Sequence, residues 1–153
     1  MNGAAATADF AFCEIRFAGD FNAFAVGAGL TTSNSPSTVL MNCTIRDCAG
    51  PSTSDNAVYM LNGGNVAITD SLFLANGDGL GDYAIRDLGV ASLTVSGCHF
   101  DSNTGRAALV APWSIGGFSM NSFAGNGVDR VRIASGSTID GGVMRAGGWL
   151  RGL

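Results

Sequence analysis

Lysine and glutamine are absent from this chain, Glu14 is its only glutamate and His99 its only histidine. Amphipathic helices build their wet faces from Lys, Glu, Gln and Arg, which lose little rotamer freedom on a helix. With eight arginines left to do that work, ordinary amphipathic helices are excluded. Charged residues of all kinds make up 13% of the chain and the net charge is −4. The arginines are scattered without a basic run, so no phosphate-tracking groove is expected and nucleic acid is not an expected partner. No apolar run approaches the ~18–20 residues of a membrane-spanning helix, so no membrane span is expected. Residues 1–12 lack the positive start of a signal peptide; an export signal, if one operates, is expected outside this segment.

What is present is 23 glycines among 153 residues, together with Ser, Thr, Asn and Asp as the main polar types, all of which favour turns and caps over helix interiors. Hydrophobic residues reach 46%, too many for a disordered chain. The length fits one domain, 1–153.

The apolar segments repeat. Val66 to Asn76 aligns with Leu93 to Asn103, a third copy runs from Phe118 to Asn126, an earlier one from Leu40 to Cys48, and the most degenerate from Phe10 to Ala18. The marker column Cys13, Cys43, Ser71, Cys98, Asn121 advances by 30, 28, 27 and 23 residues. Each unit carries a second apolar segment after a turn: 21–26, 57–61, 83–87, 106–111 and 128–133. A period of this size with two or three short strands per unit is one turn of a parallel β-solenoid. Stacked turns place equivalent residues over one another. The expected inward columns are Ile68, Val95, Phe118, then Phe73, Phe100, Phe123, then the marker column itself; Asn76, Asn103 and Asn126 form an expected ladder at a bend.

These repeats resemble the right-handed parallel β-helix proteins, a fold shared by pectate-lyase-like enzymes and many bacterial surface proteins. The resemblance runs from about residue 10 to 133. The Phe-x-x-Asn signature of Phe73–Asn76, Phe100–Asn103 and Phe123–Asn126 is also similar to repeats of bacterial polymorphic outer-membrane proteins; Gly81–Ile85 and Gly105–Leu109 are degenerate versions of the Gly-Gly-Ala-Ile strand that accompanies it there. The fold class expected is all-β: a right-handed single-stranded parallel β-helix of about five coils. The resemblance implies an exported or cell-surface, extracellular setting; because repeat-like sequence begins at about residue 10 with no capping helix before it, the segment is expected to belong to a longer β-helix or to stack on another chain.

Polysaccharide lyases and hydrolases of that fold use outward carboxylates plus a basic residue on neighbouring turns. The outward columns here read Glu14, Thr44, Leu72, His99, Ser122 and Arg16, Arg46, Leu74, Asp101, Ala124. His99 and Asp101, two apart on one strand, share a face, and with Arg46 they are the candidate catalytic set. A solvated polar face accounts for the same residues, since Leu72 and Leu74 separate them from Arg46 and no second carboxylate adjoins. Leu72, Leu74 and Tyr59 are the candidate apolar contacts of a binding surface for a polysaccharide or a surface protein. The paired-Asp and Gly-His-Gly patterns of polygalacturonases, a Gly-x-Ser-x-Gly elbow and a phosphate loop are all missing.

No cofactor is expected. The corner Gly77–Asp82 offers Asp78 and Asp82 to a calcium ion, but Leu80 stands where a third oxygen is needed, and Gly and Asp also suit a plain tight bend. Asp82, Arg86 and Asp87 suggest an exposed ion pair. Cys13 and Cys43, on neighbouring turns, fall in the disulfide window, but buried free thiols serving as small apolar fillers are the preferred reading over a structural bridge; Cys98 has no cysteine above or below it and Cys48 lies at a corner. One His and no paired Cys spacing exclude a local zinc site. Residues 134–153 are expected either to cap the last turn or to begin further coil, with end-to-end or homo-oligomeric stacking as a consequence of an open end.

Overall fold

The computed structural model describes residues 7–16, 28–49, 55–79, 81–110, 115–127 and 131–133, and every regular element among them is a strand. In chain order these are β1 (Thr7–Ala11), β2 (Glu14–Arg16), β3 (Ala28–Met41), β4 (Thr44–Arg46), β5 (Asn56–Thr69), β6 (Leu72–Leu74), β7 (Tyr83–Asp87), β8 (Val90–Ser96), β9 (His99–Asp101), β10 (Arg106–Val110), β11 (Ile115–Ser119), β12 (Ser122–Ala124) and β13 (Val131–Ile133). All pairings are parallel. The three-residue strands stack as one sheet in the order β12-β9-β6-β4-β2; the other eight form a second sheet, running β1-β3-β5-β7-β10-β13 with β8 on β5 and β11 on β8. Each strand pairs with the strand one repeat away, which is the connectivity of a coil wound on itself.

Among the described residues the backbone turns through a positive-φ residue at three corners of the coil, which divide it into three faces. One corner lies inside the 14-residue strands β3 and β5, at Asn34 and Asn62, and parts β7 from β8 at Gly89 in the next coil. A second precedes the short strands, at Phe12, Asn42, Asp70, Gly97 and Met120; a third follows them, at Asp47, Ala75, Ser102 and Gly125. Asn and Asp tolerate this region and bulkier side chains resist it. Phe12 and Met120 nevertheless adopt φ 53° and stand 78% exposed. The corner amides stay bonded: Asn42, Asp70, Ala75 and Ser102 each donate to the carbonyl of Thr69, Ser96, Asp101 and Ala124 one coil on. At Gly97 a Cβ would collide with the Asp70 carboxylate oxygen, so it is the space beside Asp70 that favours glycine there.

Between the corners, period-two alternation sends one side chain in and the next out. Ile68 pairs with Val95 and Val95 with Phe118, while Phe73, Phe100 and Phe123 are in register on β6, β9 and β12. The phenyl rings stack at 4.8 and 5.2 Å between centroids, with interplanar angles of 7° and 10°. Their spacing follows from the strand separation of about 4.8 Å. Phe73 and Phe100 are fully buried, each contributing about 1.5–3 kcal/mol by burial with roughly 0.5–1.5 kcal/mol more per ring pair.

The inward positions beside the short strands form two polar columns with a common socket. In the column after them, Asn76 Nδ2 donates to the Ile45 carbonyl (3.0 Å) and its Oδ1 accepts from the Cys48 amide (3.2 Å). Asn103 does the same to Phe73 O and Asn76 N, and Asn126 to Phe100 O and Asn103 N. The amides are also linked side chain to side chain, Asn76 to Asn103 (2.9 Å) and Asn103 to Asn126 (2.7 Å). Cys48 occupies the first place in this ladder, its thiol facing Ile15 O. In the column before the strands, thiols predominate: Cys43 Sγ faces Phe10 O and Cys98 Sγ faces Ile68 O, at 3.4 and 3.5 Å, and only Asn121 makes the amide version, to Val95 O and Cys98 N.

The expected strands at 83–87 and 106–110 are present as β7 and β10, and that at 57–61 is the first part of β5. The expected strand at 21–26, residues 111 and 128–130, Leu80, and the capping segment 134–153 lie outside the described residues. One expectation is corrected: Asp82, Arg86 and Asp87 form no exposed ion pair. Asp82 and Asp87 are buried at 2% and 0% exposure. Asp87 Oδ1 accepts from the amides of Gly89 and Val90, and Arg86 lies over the rings of Tyr59 and Tyr83 at 5.8 Å from each. The acids at this bend are thus buried and bonded to backbone amides, while the Arg86 guanidinium packs on aromatic rings.

Candidate functional site

The first and third residues of each short strand point outward, and five such strands in register make a continuous strip. Its two columns are Glu14, Thr44, Leu72, His99, Ser122 and Arg16, Arg46, Leu74, Asp101, Ala124. At one end Arg46 donates from Nε to Glu14 (2.5 Å) and from Nη1 to Asp47 (2.8 Å). The guanidinium bonded to Glu14 holds that carboxyl below its usual range. At the other end His99 Nδ1 is hydrogen-bonded to the Ser122 hydroxyl of the next coil, and His99 Nε2 lies 3.9 Å from Asp101 Oδ2. That separation exceeds a hydrogen bond and becomes an ion pair when the ring is protonated. The His99 and Asp101 side chains are 46% and 36% exposed.

Half-buried Leu72 and Leu74 lie between these two polar groups. The structure thus brings His99 and Asp101 together and keeps Arg46 two strands away, about 10 Å at ~4.8 Å per strand. Of the carboxylates carried outward by the short strands, Glu14 and Asp101 are three strands apart, about 14 Å, against the ~5–9.5 Å separation with which acid and base flank a sugar linkage. Ser122 was visible in the sequence as a member of the column next to His99, but its bond to the imidazole was not. Tyr59 lies on β5, on a different face of the coil from Leu72 and Leu74, under Arg86.

Asp78 and Asp82 do converge, and Asp55 joins them: their carboxylate oxygens lie within 4.8 Å of one another. Asp55 belongs to the turn one coil below and carries no motif that would have announced it. Asp82 Oδ1 accepts from the Asp55 amide (2.8 Å), and Oδ2 from the amides of Asp78 (2.8 Å) and Gly79 (2.6 Å). Three of roughly four lone-pair directions are thereby used, and the carboxylate ties two coils together at their corner. Among the described residues no helix is long and apolar enough to cross a membrane.

A family model described as a right handed beta helix region matches residues 8–144. No curated protein and no solved structure matches the chain.

Proposed function

Because the chain belongs to the right-handed β-helix family, we propose that it serves as a non-catalytic β-helix module of an exported or cell-surface protein, binding a glycan along its outer face. The observation that carries this reading is the strip on the short sheet: an ion-paired group at Arg46, an apolar step at Leu72 and Leu74, and a hydroxyl, imidazole and carboxylate row at Ser122, His99 and Asp101. An extended saccharide laid along the axis meets hydrogen-bonding groups at both ends and, between them, side chains suited to the C–H face of a sugar ring. The reading assigns no cofactor. The similarity of the Phe-x-x-Asn ladder to repeats of outer-membrane proteins supports the surface setting.

A second reading, a polysaccharide lyase or hydrolase, is favoured by one observation: His99 has a hydroxyl on one ring nitrogen and a carboxylate near the other, the row a general base requires. Two measurements separate the readings. On a glycan array the module reading expects binding that falls at least tenfold in Leu72→Asp and Leu74→Asp. Incubation with acidic polysaccharides expects no unsaturated product; turnover abolished by His99→Ala replaces the module by the enzyme.

A further inference from the structure

The thiols of Cys13 and Cys43 lie 3.2 Å apart, on coils stacked directly over one another. The pairing Ala11–Met41 on one side and Glu14–Thr44 on the other holds the same offset through the corner, and the Thr44 amide donates to Cys13 O at 2.9 Å. The two residues therefore have the ~4.8 Å backbone separation of parallel neighbours, inside the ~4.4–6.8 Å window for a disulfide. A closing movement of about 1.2 Å brings sulfur to its bonded distance of ~2.0 Å. The other two cysteines are stacked on different residues: Cys98 between Ser71 and Asn121, and Cys48 below Asn76.

We propose that Cys13 and Cys43 form a disulfide that bolts these two coils together when the protein meets an oxidising environment, while Cys48 and Cys98 remain thiols. The inference goes beyond the proposed function and does not depend on any ligand. A low-molecular-weight disulfide is a sufficient oxidant. Half-exposed Cys13 attacks it as the thiolate, forming a mixed disulfide and releasing one small thiol. Cys43, 2% exposed, then displaces the second small thiol from Cys13 sulfur; the protein loses two protons and two electrons, and the oxidant is reduced to two thiols. Burial and the neighbouring thiol hold Cys13 above its ordinary value, so formation accelerates as pH rises. The Cys98 thiol, pushed up by burial to about 11, is poorly supplied with the reactive thiolate.

The test uses the intact chain equilibrated in glutathione buffers from reducing to oxidising. Its arginines place each cysteine on a separate tryptic peptide, 1–16, 17–46, 47–86 and 87–106, so linkage is unambiguous in an unreduced digest. The expected result is a single linked species, 1–16 with 17–46, lighter by two hydrogens. Cys48 and Cys98 should be alkylated once the protein is unfolded. Oxidation should raise Tm by roughly 5–10 °C, an increase reversed by dithiothreitol and absent in Cys13→Ser. Absence of the linked peptide at the oxidising end, or linkage through Cys48 or Cys98, overturns the proposal. The digest of the unmutated chain decides this even if the variant folds poorly.

Discussion

The two corners that flank the short strands offer the same backbone socket and fill it with different chemistry. After the strands, Asn76, Asn103 and Asn126 donate to a carbonyl and accept from an amide of the preceding coil at 3.0–3.2 Å. Before them, Cys43 and Cys98 reach the equivalent carbonyls only at 3.4 and 3.5 Å through a weak thiol donor. Beside the buried rings of Phe73 and Phe100 an unmade bond is costly, so the amide residue contributes bonding and volume, the cysteine mostly volume. The coil tolerates this at one corner because Ser71 and Asn121 restore a full acceptor between the thiols: Ser71 Oγ takes the Cys43 amide and Asn121 Oδ1 takes that of Cys98.

The contrast is broken most severely on the asparagine side. Asn103→Ala strands the Asn76 amide, the Phe73 carbonyl and the linked side chains of Asn76 and Asn126, and is expected to cost about 3–4 kcal/mol, measured by urea unfolding. A loss below about 1 kcal/mol would mean that the ladder is ornamental. Next in size is a pH effect on the cysteine side. The Cys98 thiol titrates near 11 in the folded chain against a reference of 9.0, so ionisation favours the unfolded state. Its contribution is complete below about pH 9 and is lost progressively as pH rises toward 11, to a total of about 2–3 kcal/mol. The stability difference between the natural chain and Cys98→Ala should therefore shrink between pH 8 and 10.5, and a constant difference would contradict this. The smallest change sharpens the comparison: Cys98→Asn puts an amide where Ile68 O and the Ser71 amide await one, and should stabilise by about 1 kcal/mol. Marked destabilisation would show that size rather than bonding selects the residue there.

The repeat itself was legible because vertical stacking imposes like on like. Phe73, Phe100 and Phe123, and the three asparagines, advertise the period of a stacked solenoid. Cys48 was legible only as a corner residue, since a thiol standing in for an amide leaves no motif. The left-handed columns were half hidden for a similar reason: Asn42, Asp70 and Gly97 are ordinary choices for such a corner, whereas Phe12 and Met120 are not, and their conformation is dictated by the coils beside them. On the outer strip, His99 and Asp101 were paired by the two-residue alternation alone. The turn of Arg46 toward Glu14 and Asp47, and the gathering of Asp55 with Asp78 and Asp82, depend on side-chain torsions and on loops of unequal length, which no periodicity encodes.

The asparagine ladder is directional: each side-chain amide donates a hydrogen bond to the next in one sense along the axis, and Asn76 and Asn103 meet near-identical surroundings. A duplicated stretch of 27 residues, the interval from Asn76 to Asn103, would find its donors and acceptors already waiting above and below. Gene segments of this kind can be copied or deleted in whole units, so evolution can adjust the reach of the molecule without inventing a new core.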